Sequence, residues 1–180
     1  MDNGLIPHRY AKALYKLALE HGNTAAVYDE MKNVLAAFEN DSRLSKVLSN
    51  PFIGREEKFN LLKAAAGDKV ENDYLGFIKL ILDMRRENFA REMAFAYRDI
   101  YRKENHISQV KITTAVALPE TEMQKLRALV SDAFKNTSLE FSEQIDPEII
   151  GGFIIDVDDA RMDASINNEI EQLRLNLLTH

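Results

Sequence analysis

The spacing of apolar residues changes near Asn105-His106, and this change constrains the fold more than any other feature of the sequence. Before it, apolar residues recur every three or four positions, as in amphipathic helices. After it, residues 110–116 place Val, Ile, Thr and Val at every second position, as in a strand. We therefore expect two domains, a helical one over residues 1–105 and an α/β one over residues 106–180.

The first domain is predicted to be a six-helix antiparallel bundle, because its helical segments are joined by short loops. No proline lies between Pro51 and Pro119, which leaves the helices of that stretch uninterrupted. The helices are expected at about 7–20, 24–38, 41–50, 55–66, 70–84 and 88–104.

The second domain is predicted to contain strand, helix, strand, strand and helix in that order. Pro119 opens the first helix, and apolar alternation at residues 139–145 and 153–157 indicates the second and third strands. The last helix is expected to begin near Asp163 or Ser165, either of which can cap a helix. The expected fold class is α+β, predominantly α.

Charge is distributed unevenly along the chain. The formal net charge is −6, yet residues 1–105 hold 17 Lys/Arg against 16 Asp/Glu, and residues 106–180 hold 6 against 13. An acidic domain repels phosphate backbones, so we expect no nucleic acid as a partner, whereas a basic protein segment would suit it. The sequence has no cysteine, no apolar run long enough for a membrane span and no signal peptide, which favours a cytoplasmic protein that meets a membrane only through partners.

The sequence offers no catalytic, cofactor-binding or metal-binding site. The four histidines do not pair at ligand spacing, and the Gly151-Gly152 pair lacks the rest of a phosphate-binding loop. One acidic cluster, Asp156, Asp158, Asp159 and Asp163, departs from the pattern of a calcium-binding loop. A solvated loop leading to a helix cap is the better interpretation of that cluster.

Two helices have apolar arcs wider than one core-facing stripe requires. In the first helix only Arg9, Lys12, Lys16 and Glu20 are polar between residues 9 and 20, and the fifth helix is similarly apolar over residues 74–84. One explanation is that both helices are central in the bundle. The other is a groove between them that receives an amphipathic helix of another protein.

Two segments resemble one known family. The run Arg9-Tyr10-Ala11-Lys12-Ala13-Leu14-Tyr15 is similar to the first helix of the delta subunit of F-type ATP synthases, the bacterial counterpart of the mitochondrial oligomycin-sensitivity-conferring protein. The run from Asp146-Pro147 through Gly151-Gly152-Phe153 to Asp163-Ala164-Ser165-Ile166 resembles the C-terminal signature of that family. The resemblance covers essentially the whole chain, and the acidic loop at residues 156–159 is its one modest departure.

The signature residues have structural interpretations of their own. A proline sets φ in a turn, an aspartate before it accepts backbone hydrogen bonds, and glycines permit backbone conformations closed to other residues. Aspartate and serine are suitable helix caps. We expect structural roles for all six signature residues: Asp146, Pro147, Gly151, Gly152, Asp163 and Ser165.

The resemblance implies a non-catalytic stator subunit of the peripheral stalk, which ties the catalytic head of the enzyme to its membrane-anchored stalk during ATP synthesis coupled to ion transport. It also implies that the groove between the first and fifth helices binds the N-terminal helix of the alpha subunit, while the C-terminal domain binds the C-terminal region of the b subunits. The protein would then lie on the cytoplasmic face of the bacterial inner membrane. The residues expected to form the groove are Tyr10, Ala13, Leu14, Leu17, Leu75, Ile78 and Leu82.

Two alternatives are a generic helical adaptor and a membrane-surface protein that uses its first helix as an anchor. The narrow polar stripe of that helix speaks against the anchor, since only two lysines lie on it and Glu20 offsets one of them.

Overall fold

The computed structural model describes residues 5–134 and 138–178 of the chain. Over these residues the protein is mainly helical, with one four-stranded sheet, so the predicted α+β class is confirmed. The chain divides into two compact units, Met1–Glu104 and Asn105–His180.

The described part of the first unit contains six α-helices, whose ends lie within two residues of the predicted ones. They are α1 (Leu5–His21), α2 (Thr24–Asn40), α3 (Arg43–Ser49), α4 (Arg55–Ala66), α5 (Asn72–Asp83) and α6 (Ala90–Glu104). A short 3₁₀ turn, Glu87–Phe89, precedes α6.

Local chemistry accounts for several helix ends. Gly22 follows α1 with a φ of 72°, a left-handed conformation that glycine adopts without steric cost. The Asp41 carboxylate accepts a hydrogen bond from the Arg43 backbone N–H at 2.9 Å, at the start of α3. Asn50 turns to an extended conformation with ψ 119° after α3, as expected for a residue before proline.

The core of the first unit runs through all six helices and includes two buried tyrosines with satisfied hydroxyls. The Tyr97 hydroxyl donates to the carbonyl oxygen of Thr24 at 3.2 Å, and the Tyr74 hydroxyl donates to that of Leu62 at 3.1 Å. These bonds link α6 to the start of α2 and α5 to α4. These two aromatic rings therefore fill the core with their own hydroxyl groups hydrogen-bonded.

The second unit is a sheet with helices and short turns. Its elements are β1 (Ile107–Thr114), α7 (Glu120–Ala133), β2 (Ser138–Ile145), a 3₁₀ turn (Pro147–Ile149), β3 (Gly152–Val157), β4 (Ala160–Ser165) and α8 (Ile166–Leu178). The strand order is β2-β1-β3-β4. The pair β1/β2 is parallel and is joined by α7, while β1/β3 and β3/β4 are antiparallel.

The fourth strand corrects the prediction of three strands, and of the two predicted starts of the last helix, Asp163 and Ser165, it leaves Ser165, the residue directly before α8. β3 and β4 form a hairpin through Asp158-Asp159, with Asp158 at a φ of 49°, and α8 begins only at Ile166. Residues 160–165 do alternate in polarity, but two of their three apolar positions are alanines, which have weak strand preference. Backbone pairing with β3 makes this segment a strand.

The core of the second unit lies between one face of the sheet and α7. Val110 and Ile112 of β1 and Ile155 of β3 pack with Met123 and Val130 of α7. Glu143 of β2 pairs with Arg127 of the same helix at the edge of this layer.

Candidate partner-binding site

Helix α1 divides its apolar residues between the core and the surface. Its buried residues are Pro7, Ala11, Leu14 and Ala18, which follow the i, i+4, i+7, i+11 spacing of a single stripe. Beside that stripe, Tyr10 is half-buried, Ala13 is exposed and Leu17 is 40% exposed. The apolar surplus of α1 is therefore partly a surface feature.

Helix α5 shows the same division. Its core stripe contains Ile78, which is fully buried, and Leu82, which is 7% exposed. Leu80 lies outside that stripe and is 43% exposed. Leu75 is half-buried. It precedes Leu80 by five residues, and at about 100° per residue this offset places the two side chains about 140° apart around the helix.

Two contacts hold α1 and α5 side by side in antiparallel orientation. At one end, His21 Nδ1 lies 2.8 Å from Asp73 Oδ1. At the other, the Arg86 guanidinium lies over the Tyr10 ring, 5.4 Å from its centroid, in cation–π geometry. These contacts leave a shallow channel along the junction of the two helices.

A concavity of about 380 Å³ opens in this channel, and we call it the α1/α5 groove. Its lining is apolar on both sides and basic at one end, and it consists of Ile6, Arg9, Tyr10, Ala13, Leu80 and Arg86. Among the described residues, no carboxylate lines it. A groove with apolar walls and an arginine rim suits an amphipathic helix with acidic residues near one end.

The structure separates the seven residues that the sequence analysis assigned to a groove. Tyr10 and Ala13 line the α1/α5 groove, and exposed Leu17 lies one helical turn beyond Ala13 on the same side of α1. Leu14, Ile78 and Leu82 are in the core, and Leu75 is on the other side of α5 from Leu80. Sequence reasoning missed Ile6, Arg9, Leu80 and Arg86.

A signal for Leu80 was present in the sequence. Residues 74, 77, 78, 81 and 82 of α5 match the i, i+3, i+4, i+7, i+8 pattern of one buried face. Leu80 is apolar but breaks that pattern, which marks it as a surface residue that a partner could cover.

A buried carboxylate lies at the N-terminus of α5, at the opposite end of this helix from the lining of the α1/α5 groove. Glu30 of α2 is 4% exposed, and its Oε1 accepts a hydrogen bond from the Glu71 backbone N–H at 2.5 Å. Burial raises the pKa of Glu30 to about 7, and the nearby charges of Glu71 and Asp73 act in the same direction, against the Glu71 backbone hydrogen bond. The bond ties α2 to the residue that immediately precedes α5.

The signature residues before β3 build a turn and a close crossing of strands. Asp146 Oδ1 accepts a hydrogen bond from the Glu148 backbone N–H at 3.0 Å, which closes the turn that Pro147 begins. Gly152 has a φ of 75°, and a Cβ there would lie 2.2 Å from the carbonyl oxygen of Ala164. Only glycine allows β3 and β4 to pair at this point.

The signature residues at the end of β4 form a helix cap. Asp163 Oδ1 accepts from the Ser165 hydroxyl at 2.6 Å, and this bond is the main reason that the pKa of Asp163 is lowered. Ser165 Oγ in turn accepts from the Asn168 backbone N–H at 3.2 Å, in the first turn of α8. A Cβ on Gly151 would lie 2.7 Å from the Ile166 side chain. These contacts hold the start of α8 against the turn before β3.

The acidic cluster is engaged in protein contacts. Arg161 lies 3.7 Å from Asp156 and 3.8 Å from Asp163, and Asp158 accepts from the Gln109 backbone N–H at 3.0 Å. Within residues 5–134 and 138–178, no group of three His, Cys, Asp or Glu side chains is placed to hold a metal ion.

The second unit presents an exposed apolar stripe along α8. Ile166, Ile170 and Leu173 share one face of the helix, and Ile150 lies in the turn before β3, against which α8 begins. All four are between 44% and 62% exposed. This is a second candidate contact surface.

The sequence profile of the family described as ATP synthase delta (OSCP) subunit matches residues 6–177, nearly the entire chain. The chain belongs to that family. Relatives named ATP synthase subunit delta agree: the protein of Phocaeicola vulgatus is 39% identical over 95% of this chain and 92% of its own length. That of Parabacteroides distasonis is 38% identical over 99% of this chain and 98% of its own length.

A solved structure shares the fold. A chain in the cryo-EM structure of the Toxoplasma gondii mitochondrial ATP synthase hexamer matches with a TM-score of 0.71 at 18% identity, covering 96% of this chain and 97% of that one. Family membership makes the protein a non-catalytic delta/OSCP subunit of an F-type ATP synthase, and a stator role in the peripheral stalk follows from the family. The resemblance of the two sequence segments to this family is confirmed.

The subunit belongs to the membrane-associated F-type complex. None of the helices in the described ranges combines the length and apolarity that a membrane crossing requires.

Proposed function

We propose that the α1/α5 groove of this stator subunit holds the N-terminal helix of the alpha subunit, and that the second unit contacts the C-terminal region of the b subunits. The observation that carries the first part is the concavity with apolar side chains on both sides of the junction, half-buried Tyr10 and exposed Ala13 on α1 with exposed Leu80 on α5. Single exposed leucines are ordinary on a protein surface, but a concavity with apolar residues on both walls supports the binding of an amphipathic helix.

A stator must hold the catalytic head still while the rotor turns. This task requires tight, rigid contacts at two separate places and no chemistry of its own. Burying a large apolar side chain contributes roughly 1.5–3 kcal/mol, so a few anchors in the groove supply the affinity. The Arg9 and Arg86 guanidinium groups orient the bound helix by their attraction for its acidic residues.

Binding of the alpha subunit is tested by calorimetry with the full chain and a synthetic peptide of the alpha-subunit N-terminal segment. Ala13→Asp or Leu80→Asp places a charge in the apolar lining, and each is expected to weaken binding by at least about ten-fold because that charge would be desolvated. Ala64→Asp, at an exposed position of α4, is the matched control and is expected to leave affinity unchanged. Circular dichroism must show all three variants folded.

Unchanged affinity in folded Ala13→Asp and Leu80→Asp variants would exclude the groove as the binding site. Loss of binding in the α4 control as well would indicate a non-specific effect of the added charge.

Contact with the b subunits is supported by the stripe of Ile150, Ile166, Ile170 and Leu173 and by the charge of the second half of the chain. Residues 106–180 carry 13 acidic against 6 basic side chains, so a basic amphipathic helix is the complementary occupant. Ile170→Asp is expected to weaken binding of a peptide from the C-terminal end of the b protein, while Asn167→Asp on the same helix should not. Equal affinities for these two variants would refute α8 as the site of contact.

These two contacts define a location at the cytoplasmic face of the bacterial inner membrane, reached through the complex. Co-purification of the alpha and b subunits with the tagged protein from detergent-solubilised membranes tests it. Recovery of the protein from the soluble fraction only, without either of these partners, would contradict it.

A further inference from the structure

Gly76 lies in the middle of α5, where glycine is unfavourable because it adds backbone entropy to the unfolded chain and contributes no side-chain contact. Nothing in the described part of the chain requires it. A Cβ at this position would meet no atom within 4 Å, and Gly76 is not among the glycines with positive φ, which are Gly22, Gly67 and Gly152. Neither the fold of α5 nor its packing therefore explains the absence of a side chain.

The position of Gly76 relates it to the α1/α5 groove. It lies four residues before Leu80, on the same side of α5, and three residues after Asp73, which bonds His21 of α1. Leu17 is four residues before His21 on the antiparallel α1, so it faces the same stretch of the junction. Helical spacing thus puts Leu17 and Gly76 next along the junction after Ala13 and Leu80, just outside the lining of the concavity, and a Cβ at Gly76 would enter open space there.

Basic side chains flank this channel. Arg9 and Lys16 are exposed on the outer side of α1, Lys79 is exposed on α5, and Arg86 lies at the groove end. The carboxylate of Asp83 on this side of α5 already pairs with Arg55 at 2.5 Å, and Glu20 is the one further acidic side chain that α1 presents beside the channel. The flanks therefore favour an occupant with negative charge.

We propose that Gly76 is the point at which the bound helix crosses α5 with its backbone closest, and that this helix carries carboxylates beside its apolar stripe. The distance between packed helices is set by the side chains at their contact, so a glycine lets the axes approach and brings the flanking apolar residues into full contact. This inference rests on the proposed function of the groove and specifies how the groove selects its partner.

The test is calorimetry of the full chain with the alpha-subunit N-terminal peptide. Gly76→Leu fills the open space and is expected to weaken binding at least about ten-fold, and Gly76→Ala about three-fold, since larger side chains hold the helices further apart. Gly76→Ala is also expected to raise the melting temperature, because alanine favours the helix. Increased stability together with reduced affinity distinguishes a binding role from a structural one.

The matched controls introduce the same two side chains, alanine and leucine, at positions away from the α1/α5 groove. Gly54→Ala and Ala64→Leu lie at exposed positions before and within α4 and are expected to bind the peptide like the wild type. If the Gly76→Leu variant binds the peptide with wild-type affinity, the proposed close crossing at Gly76 is overturned, while the proposal that the groove binds the helix is not affected.

The charge of the occupant is tested separately with a peptide in which every Asp and Glu is replaced by Asn and Gln. This peptide is expected to bind more weakly and with less dependence on salt concentration. If this peptide binds with the same affinity and the same salt dependence as the unmodified one, the proposal that carboxylates of the bound helix meet the basic flanks of the groove is overturned. Failure of the wild-type protein to bind the unmodified peptide would instead overturn the groove proposal, and this inference with it.

Discussion

The helical unit and the α/β unit bury their apolar side chains to very different extents. Among the described residues, 22 form the buried cluster of the first unit, while six of its large apolar side chains are exposed. In the second unit six residues form the cluster and ten large apolar side chains are exposed. Over the described residues, the first unit thus has an extensive core and few exposed large apolar side chains, and the second has a thin core with a broad apolar surface.

The difference follows from the architecture of each unit. Six helices surround a shared interior, so each can bury one stripe against several neighbours. In the second unit α7 covers one face of a four-stranded sheet, and α8 contacts mainly β4 and the turn before β3. We therefore expect the α/β unit to depend more on its partners for burial than the helical unit does.

The largest effect is expected from Ile78→Asp. Ile78 is fully buried, so a carboxylate there would be desolvated without a partner, at a cost of about 4 kcal/mol or more. Urea unfolding followed by circular dichroism measures it, with Leu80→Asp on the exposed side of α5 as control, expected within about 1 kcal/mol of the wild type. Similar losses in both variants would mean that the core of this unit is less complete than described.

Gly152→Ala is expected to destabilise the second unit by about 3 kcal/mol. The added Cβ would collide with the carbonyl oxygen of Ala164, and φ at this position is 75°. Gly151→Ala is the matched control, expected to lose only about 1 kcal/mol because the Ile166 side chain it meets can move. Amide hydrogen exchange should show faster exchange in β3 and β4 but not in α1–α6. An equal increase of the exchange rates in both units would contradict the expectation that the substitution destabilises the second unit alone.

The Glu30→Gln variant is expected to gain stability relative to the wild type as the pH rises from 5 to 8. The quantity compared is the free energy of unfolding of the variant minus that of the wild type, which should be larger at pH 8 than at pH 5. The pKa of Glu30 is about 7 in the folded protein, above the ordinary value of 4.5 for an exposed glutamate, so the folded protein holds its proton more tightly than the unfolded chain does. Wild-type stability therefore falls as pH rises from about 4.5 to 7, by about 1–3 kcal/mol, and a neutral Gln avoids that loss.

The measurement is the difference in unfolding free energy between the two proteins at each pH, so that any constant effect of the substitution cancels. Glu39→Gln, at an exposed position of α2, should show no such dependence. A Glu30→Gln difference that stays the same from pH 5 to pH 8 would show that Glu30 is ionised in the fold.

The smallest effect on stability is expected from Leu173→Ser. Leu173 is 62% exposed, so its replacement should change the free energy of unfolding by less than about 0.5 kcal/mol, while it weakens binding of the b-subunit peptide. A loss of stability comparable to that of a core variant such as Val110→Ser would mean that α8 packs within its own unit, which would weaken the comparison between the two units.

Much of the fold was predictable from apolar spacing alone. The six helices of the first unit, the first three strands and α7 all follow from periods of 3.6 or 2, and the turn at Asp146-Pro147 follows from its residues. The strand β4 was not predictable in this way, because Ala160 and Ala164 give it little strand preference and its pairing partner is decided by the hairpin.

The candidate site was less predictable than the fold. The sequence indicated that α1 and α5 have more apolar surface than one core stripe uses, and Tyr10 and Ala13 do line the groove. It did not separate Leu14 and Ile78, which are buried, from Leu80, which is exposed, because both kinds of residue are apolar and lie on the same helices. The arginines of the groove come from different elements, Arg9 from α1 and Arg86 from the turn after α5.

The amino-acid sequence by itself determined the two-unit organisation, the helical content, the family and the structural roles of its signature, since each depends on local patterns of residue type. Only the tertiary structure decided which side of each broad apolar helix is covered, which arginines meet at the groove, and that a Cβ added at Gly76 would meet no atom of the described residues within 4 Å. Burial depends on the residues that other elements bring to a surface, and the spacing along one helix does not contain that information.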